Sequence, residues 1–175
     1  MPMNQRIAEH RTFGRPDTEV GYDVHDDLIR DTSLPTIALI GRFLLASIFL
    51  VSGLGKLTDI PGTVAHMTAA GIPHADTLAI VAGTAEVLGA LSIATGFLTR
   101  VGAFGLILFM IPTTLIFHAF WNDAGEARMT QMVNFMKNLA IIGGLAVLAA
   151  QGAGMSSIDH RIRRARARHR AHSEV

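Results

Sequence analysis

The residue with the clearest chemical potential is Glu86, the one charge in the interior of an apolar stretch at residues 75–98. A carboxylate at the depth of a bilayer centre costs several kcal/mol unless it is paired, protonated or open to water. A span that keeps such a group therefore indicates a functional site or a fixed helix contact. Its partners should be found among the polar residues of the neighbouring apolar stretches.

Two cations of the first apolar stretch are candidates for this pairing. Arg42 is placed about 9 Å from Glu86 along the membrane normal by residue counting, and Lys56 is placed farther away. We therefore expect a buried polar core of Arg42 and Glu86, with Lys56 as the alternative partner. Such a pair could equally serve only to fix the packing of two helices, and the sequence leaves both interpretations open.

A second group of polar residues collects near one end of the apolar stretches. Lysine, histidine and amide side chains at one level could bind the polar part of a small molecule, and histidine exchanges protons readily near neutral pH. Snorkelling and interfacial anchoring, for Trp121 above all, are the alternative explanation. The candidate ligand-binding residues are Lys56, His118, Trp121, Asn122, Lys137 and Asn138.

These residues must be positioned by helices, because each apolar stretch is long enough to cross a hydrocarbon layer of about 30 Å at about 1.5 Å per residue. We predict an all-α, integral membrane four-helix bundle. Residues 1–33 are expected to be a flexible polar extension and 153–175 a basic tail, with the membrane domain between them at 34–152. The predicted spans are 34–57, 75–98, 101–121 and 132–150.

Arginine distribution predicts the orientation of the bundle. The N-terminal extension, Arg100 and the arginine run at 160–170 fall on one side of a four-span arrangement, and the opposite loops carry few basic residues. Basic residues concentrate in cytoplasmic loops. Both termini are therefore predicted to be cytoplasmic, with the second group of polar residues near the outer face of a bacterial plasma membrane.

Composition excludes several classes of function. The 175-residue chain is half hydrophobic, with a mean hydropathy of +0.38 and a net charge of +1. It has no cysteine, which excludes disulfides, thiolate-bound metals and a thiol redox relay within this chain. No metal-ligand spacing or specific nucleic-acid motif is present, and no cleavable signal is visible, so the first span is expected to be an uncleaved anchor.

Five short motifs occur in series along the predicted membrane part. In order they are GRFLLASIFLVSGLGKLTD, GIP, AEVLGALSIATGFLTR, FMKNLAIIGGL and GAGMSSID, within residues 41–159. In order and spacing this series resembles the DoxX family of small bacterial membrane proteins. The resemblance covers the whole membrane part and neither terminal segment.

The resemblance implies a four-helix bundle in the bacterial inner membrane. Its recurring polar positions match Arg42, Lys56, Glu86 and Asn138 here. Members of the family have been linked to membrane oxidoreductase systems, including a subunit of a thiosulfate:quinone oxidoreductase, although most have no defined activity. The family therefore implies a fold and a location more firmly than a reaction.

Three functions remain open at this point. The first is a membrane subunit of a redox or quinone-linked complex, in which Lys56, Lys137 and His118 hold a quinone or anionic oxygen. The second is a small transporter with Glu86 as its proton or cation site. The third is an assembly or stress-response partner without catalysis, whose basic tail docks a soluble protein or anionic lipid. The bilayer, further copies of the chain and a soluble cytoplasmic redox enzyme are the expected partners, and quinone is the one cofactor considered.

Overall fold

The computed structural model describes residues 34–173, which form helices and the turns between them. Four of these helices, α1, α3, α4 and α5, are long and apolar enough to cross a membrane. The predicted extension at 1–33 lies outside the described residues. The helices are α1 (Leu34–Thr58), α2 (Ile60–Ala69), α3 (Ala75–Thr95), α4 (Thr99–Phe117), a 3-10 turn (Phe120–Asn122), α5 (Gly125–Gln151) and α6 (Ile158–Ser173).

The observed helix ends differ from the predicted spans where local backbone chemistry decides. The second span ends at Thr95 because Gly96 takes a left-handed conformation with φ of 73°, which stops a helix at little cost for glycine. The fourth span begins at Gly125, seven residues earlier than predicted at 132. Glu126 favours this early start, since a carboxylate in the first turn interacts well with the helix dipole.

The segment predicted as a basic tail, 153–175, contains helix α6. Residues 153–157 connect it to α5, and Ala153 and Ser157 are buried there. The tail therefore begins with a packed connection to the bundle rather than with a free segment. The division of the chain at residue 152 into a membrane domain and a tail stays a prediction.

Helices α1 and α3 pack closely because small residues face each other. A Cβ atom added at Gly53 would lie 2.8 Å from the Gly83 carbonyl oxygen and 2.9 Å from Glu86 Cβ. A Cβ atom at Gly83 would lie 2.8 Å from Leu57 Cγ. Small residues allow this kind of backbone approach between helices in a membrane. The two glycines therefore fix the register of the α1–α3 pair.

Apolar side chains from the four spans form the core of the bundle. Ile93 of α3, Ala103 of α4 and Leu145 of α5 are fully buried. At Gly89 a side chain would collide with Leu106, so α3 and α4 also depend on a small residue at their contact. The buried members of this core are Ala46, Phe49, Ala90, Ile93, Ala103, Leu106, Met110 and Leu145.

Helix α2 closes one end of the bundle. The helix begins at Ile60, directly after Asp59, whose carboxylate accepts a hydrogen bond from the Gly62 amide at 3.0 Å. This is an N-terminal cap. Met67 is buried against Ala75 and Ala79 of α3. The connection between the first two spans is thus an ordered helix that packs against the end of the bundle.

Candidate functional site

Glu86 forms an ion pair with Lys56. The lysine Nζ lies 3.0 Å from both carboxylate oxygens and donates a further hydrogen bond of 2.6 Å to Ser52 Oγ. The Glu86 side chain is 4% exposed and the Lys56 side chain is 23% exposed. The buried Glu86 carboxylate is therefore paired with a lysine ammonium group, and a hydrogen bond to the Ser52 hydroxyl fixes the position of that group.

The local sequence of α1 explains this geometry. Ser52 and Lys56 are four residues apart, so they lie on the same face of the helix, one turn from each other. Gly53, between them, allows the α3 backbone to approach that face. The short distance between helices α1 and α3 brings the Glu86 carboxylate within reach of Lys56, and the hydrogen bond to Ser52 holds the lysine in place.

The expectation that Arg42 pairs with Glu86 is wrong. Gly53 lies opposite Gly83 and Glu86, so the carboxylate is level with residue 53 of α1. At about 1.5 Å per residue this level is about 16 Å from Arg42 and about 5 Å from Lys56. Counting from the ends of the spans missed the offset because the glycine contact, and not the span ends, sets the register.

Arg42 is buried as predicted, at 3% exposure, and has a different role. Its guanidinium donates to the carbonyl oxygens of Ala153 at 3.1 Å and Ser156 at 2.5 Å. These carbonyls belong to the segment between α5 and α6. Arg42 therefore holds the C-terminal connection against the bundle, at the opposite end from the Lys56–Glu86 pair.

The Lys56–Glu86 pair lies in the wall of a cavity of about 630 Å³. Most of the lining is apolar, with contributions from Phe49, Met67, Phe109 and other side chains of all four spans and α2. The polar groups that line it are Ser52, Lys56, Thr63, His66, Glu86, Thr113, His118 and Asn138. A concave, mostly apolar cavity with a few polar groups is the usual form of a small-molecule site.

The wall of the cavity extends to the outer surface of the helices. Ile48, Val81 and Ile116 line it, and each is also about half exposed on that surface. The outer edge of the cavity is therefore formed by exposed apolar side chains of the spans.

His118 and Asn138 are held in place at the cavity by neighbouring side chains. His118 Nδ1 lies 2.8 Å from Gln131 Oε1, and because an amide oxygen accepts, Nδ1–H donates this hydrogen bond and Nε2 is left for another partner. Asn138 Nδ2 donates to Thr114 Oγ1 at 3.0 Å. The structure thus brings Lys56, Glu86, His118 and Asn138, four residues singled out from the sequence, to one cavity.

Other predicted site residues lie away from this cavity. Trp121 packs edge-on against Phe120 and Phe135, with ring centroids 5.2 and 5.9 Å away, and about half of its surface is exposed. Asn122 and Lys137 are exposed. None of these residues is among those that line the cavity, and their predicted part in ligand binding stays a prediction.

His66 also lines the cavity, and no sequence pattern marks it as a binding residue. Its ring stacks on Phe117 with centroids 4.9 Å apart and an interplanar angle of 14°. A histidine in a connector between two spans is typical of a residue at the membrane interface. The packing of α2 over the bundle, which brings His66 to Phe117, is a tertiary feature that no local pattern indicates.

The described residues give no support for a metal centre within residues 34–173. Among them, no group of three histidine or acidic side chains is placed to hold a metal ion. The chemistry available at the cavity is therefore that of a lysine–carboxylate pair, two histidines, hydroxyls and an amide.

The four spans found in the described residues identify the molecule as a small helical membrane protein. The DoxX family profile matches residues 37–119. The inner membrane protein YphA of Escherichia coli (strain K12) is 37% identical over 127 residues, which cover 73% of this chain and 91% of that protein. The inner membrane protein YqjF of the same organism is 36% identical over 121 residues, covering 69% and 88%.

The chain belongs to the DoxX family. It is a multi-pass protein of the bacterial inner membrane, in agreement with the location predicted from its sequence. No solved structure matches the chain significantly.

Proposed function

We propose that the protein is the membrane subunit of a redox system and binds a quinone, or a related lipophilic carbonyl compound, in the cavity at Lys56 and Glu86. The observation that carries this proposal is the position of the ion pair in the wall of an otherwise mostly apolar cavity of about 630 Å³. The apolar tail of such a ligand would pack against the apolar lining, which extends to the outer surface of the helices. Its carbonyl oxygen would accept a hydrogen bond from Lys56.

Lys56 is suited to hold a carbonyl oxygen. Its ammonium group contacts Ser52 Oγ and both oxygens of Glu86. One of the two carboxylate contacts can be exchanged for a ligand oxygen while the other keeps the ion pair. A hydrogen bond from a charged donor is about twice as strong as a neutral one, so this contact favours the form of the ligand with more negative charge on oxygen.

Proton transfer is the second task that the cavity residues can perform. Reduction of a quinone to a quinol consumes two electrons and two protons. Glu86 and His118 both line the cavity, so they are the candidate groups to relay these protons: the Glu86 carboxylate and the His118 imidazole each take up a proton from water and pass it to the reduced quinone. The electrons come from a partner, because the chain has no cysteine with which to carry out thiol redox chemistry.

The partner in this proposal is a soluble redox enzyme on the cytoplasmic side. The arginines of the C-terminal segment and Arg100 favour a cytoplasmic position for that end of the bundle. Both termini are placed there as part of the proposal. Association of several copies of the chain stays a prediction.

Two adjacent residues of α5 give a matched test of the cavity as the binding site. Asn138 lines the cavity, and the neighbouring Lys137 is exposed away from it. We expect Asn138→Ala to weaken the binding of a short-chain quinone about fivefold, which corresponds to one hydrogen bond of about 1 kcal/mol. Lys137→Ala should leave the affinity unchanged, because Lys137 does not line the cavity; a loss of affinity there would instead support the prediction that Lys137 binds the ligand.

The measurement is a calorimetric titration of ubiquinone and menaquinone analogues into the protein in nanodiscs. Thermal unfolding of each variant verifies that the bundle is intact. Equal losses in both variants would contradict the proposed site, and the absence of quinone binding by the unsubstituted protein would refute the proposed function.

A further inference from the structure

Helix α6 carries a dense cluster of positive charge. Six of its arginines are exposed and lie on several sides of the helix. They leave a narrow stripe that contains Ile158, Ile162 and Ala165, at spacings of four and three residues. The acidic residue of the helix is Asp159, in its first turn. The exposed arginines are Arg161, Arg163, Arg164, Arg166, Arg168 and Arg170.

The first turn of α6 is fixed to the membrane bundle by Asp159. Its backbone N–H donates to the Gly96 carbonyl at 3.0 Å, and its carboxylate accepts from the N–H groups of Leu98 at 3.0 Å and Thr99 at 3.3 Å. These residues form the turn between the spans α3 and α4. Arg42 holds the preceding segment through the carbonyl of Ser156.

This attachment places the arginines at the membrane surface. Helix α3 ends at Thr95 and α4 begins at Thr99, so the turn between them lies where the spans leave the hydrocarbon layer. Arg161 and Arg164 follow Asp159 by about 3 and about 8 Å of helix rise. They are therefore within about one screening length of the lipid headgroups, in whichever direction the helix runs.

We propose that α6 binds the headgroups of anionic phospholipids in the leaflet next to the α3–α4 turn. Guanidinium groups bind phosphate with two parallel hydrogen bonds. Clusters of basic residues that directly follow a membrane span attract anionic lipids. The apolar stripe that starts at Ile158 and Ile162 lies between arginines on both sides, a pattern that suits a helix at the interface.

A soluble acidic protein is the other partner that six exposed arginines could attract. The attachment at Asp159 favours lipid, because it keeps the charges beside a leaflet whose headgroups are always present at high density. A partner protein would have to displace those headgroups or bind on top of them. A spin label on α6 distinguishes anionic phospholipid from a soluble acidic protein as the partner.

The absence of cysteine from the chain allows a single spin label to be placed on α6. The variant Ala167→Cys is labelled with a nitroxide and placed in nanodiscs of phosphatidylcholine, with or without phosphatidylglycerol. We expect the label to move more slowly when phosphatidylglycerol is present. The difference should disappear in about 1 M salt, where the screening length falls to about 3 Å.

Two controls make the result specific. A label at Ala124, an exposed residue just before α5 at the other end of the bundle, should not respond to phosphatidylglycerol. Replacing the six exposed arginines with glutamine should make the Ala167 label equally mobile in both lipids. Since the salt titration uses the chain with its arginines intact, it tests the proposal even if that variant is unstable.

Equal mobility of the Ala167 label in the two lipids would overturn the proposal. Slowing of that label by an added soluble acidic protein, without any response to phosphatidylglycerol, would also overturn it and would assign the arginines to a protein partner. Neither result depends on whether the cavity binds a quinone.

Discussion

Replacing Lys56 with methionine is expected to destabilise the folded protein by about 3 kcal/mol or more, because it leaves the Glu86 carboxylate buried without a cation. The Glu86 side chain is only 4% exposed, and both of its oxygens contact the Lys56 Nζ. Glu86→Gln should cost less, since an amide oxygen can still accept from the lysine. The measurement is the free energy of unfolding, from titration of the protein in detergent with a denaturing detergent.

The double variant Lys56→Met with Glu86→Leu separates the ion pair from general packing. Removing both charges leaves no unpaired group, so the double variant should recover much of the stability lost in Lys56→Met. Lys137→Met serves as the control, because Lys137 is exposed and should change the stability by no more than about 0.5 kcal/mol. A double variant less stable than Lys56→Met would contradict an ion pair whose main energetic feature is the burial of charge.

The substitution Gly53→Ala is expected to have the second large effect. Its new Cβ atom would lie 2.8 Å from the Gly83 carbonyl oxygen and 2.9 Å from Glu86 Cβ and Val87 Cγ2. One of these contacts is to backbone, so the helices must separate, and overpacking of this kind costs about 1 to 3 kcal/mol. Separation of α1 from α3 also lengthens the contact between Lys56 and Glu86.

Gly55 provides a matched control two positions along the same helix. No atom lies within 4 Å of a Cβ added there, and alanine forms helix more readily than glycine by about 1 kcal/mol. Gly55→Ala should therefore be neutral or stabilising in the unfolding titration. Similar losses of stability at Gly53 and Gly55 would show that the glycine contact does not set the α1–α3 register.

The spans and the burial of Glu86 within one of them could be predicted from the sequence because both follow from hydropathy. A carboxylate inside an apolar stretch of membrane length is a local signal. The correct cation could not be predicted in the same way. Lys56 reaches Glu86 only because Gly53 meets Gly83, and the depth of this contact depends on packing rather than on the ends of the spans.

The cavity was only partly predictable for a related reason. His118 and Asn138 were identified because they are polar residues near one end of the spans, and both line the cavity. Ser52 and His66 have no such signal, since a serine inside an apolar helix is common and His66 lies in a connector. Their inclusion depends on the fold of α2 and on the rotation of α1 about its axis.

The role of Arg42 illustrates what a residue count cannot resolve. Its burial follows from its place in an apolar stretch, but its partners are the carbonyl groups of Ala153 and Ser156, more than one hundred positions away. Backbone carbonyls carry no sequence signature, so a pattern-based search for partners considers only charged side chains. The contact between Arg42 and the segment that joins α5 to α6 therefore could not be predicted from the sequence.

The most direct test of the proposed quinone site is photolabelling of the protein in native membranes with an azido-quinone, followed by peptide mapping. The proposal predicts labelled peptides from the cavity-lining parts of α1, α3 and α4, around Ser52, Glu86 and Thr113. Competition with unmodified quinone should remove the label. A separate cavity between α3 and α4 has no charged residue in its lining, which includes Leu88, Val101 and Gly105. Labelling confined to that cavity, or no competable labelling at all, would contradict the proposal.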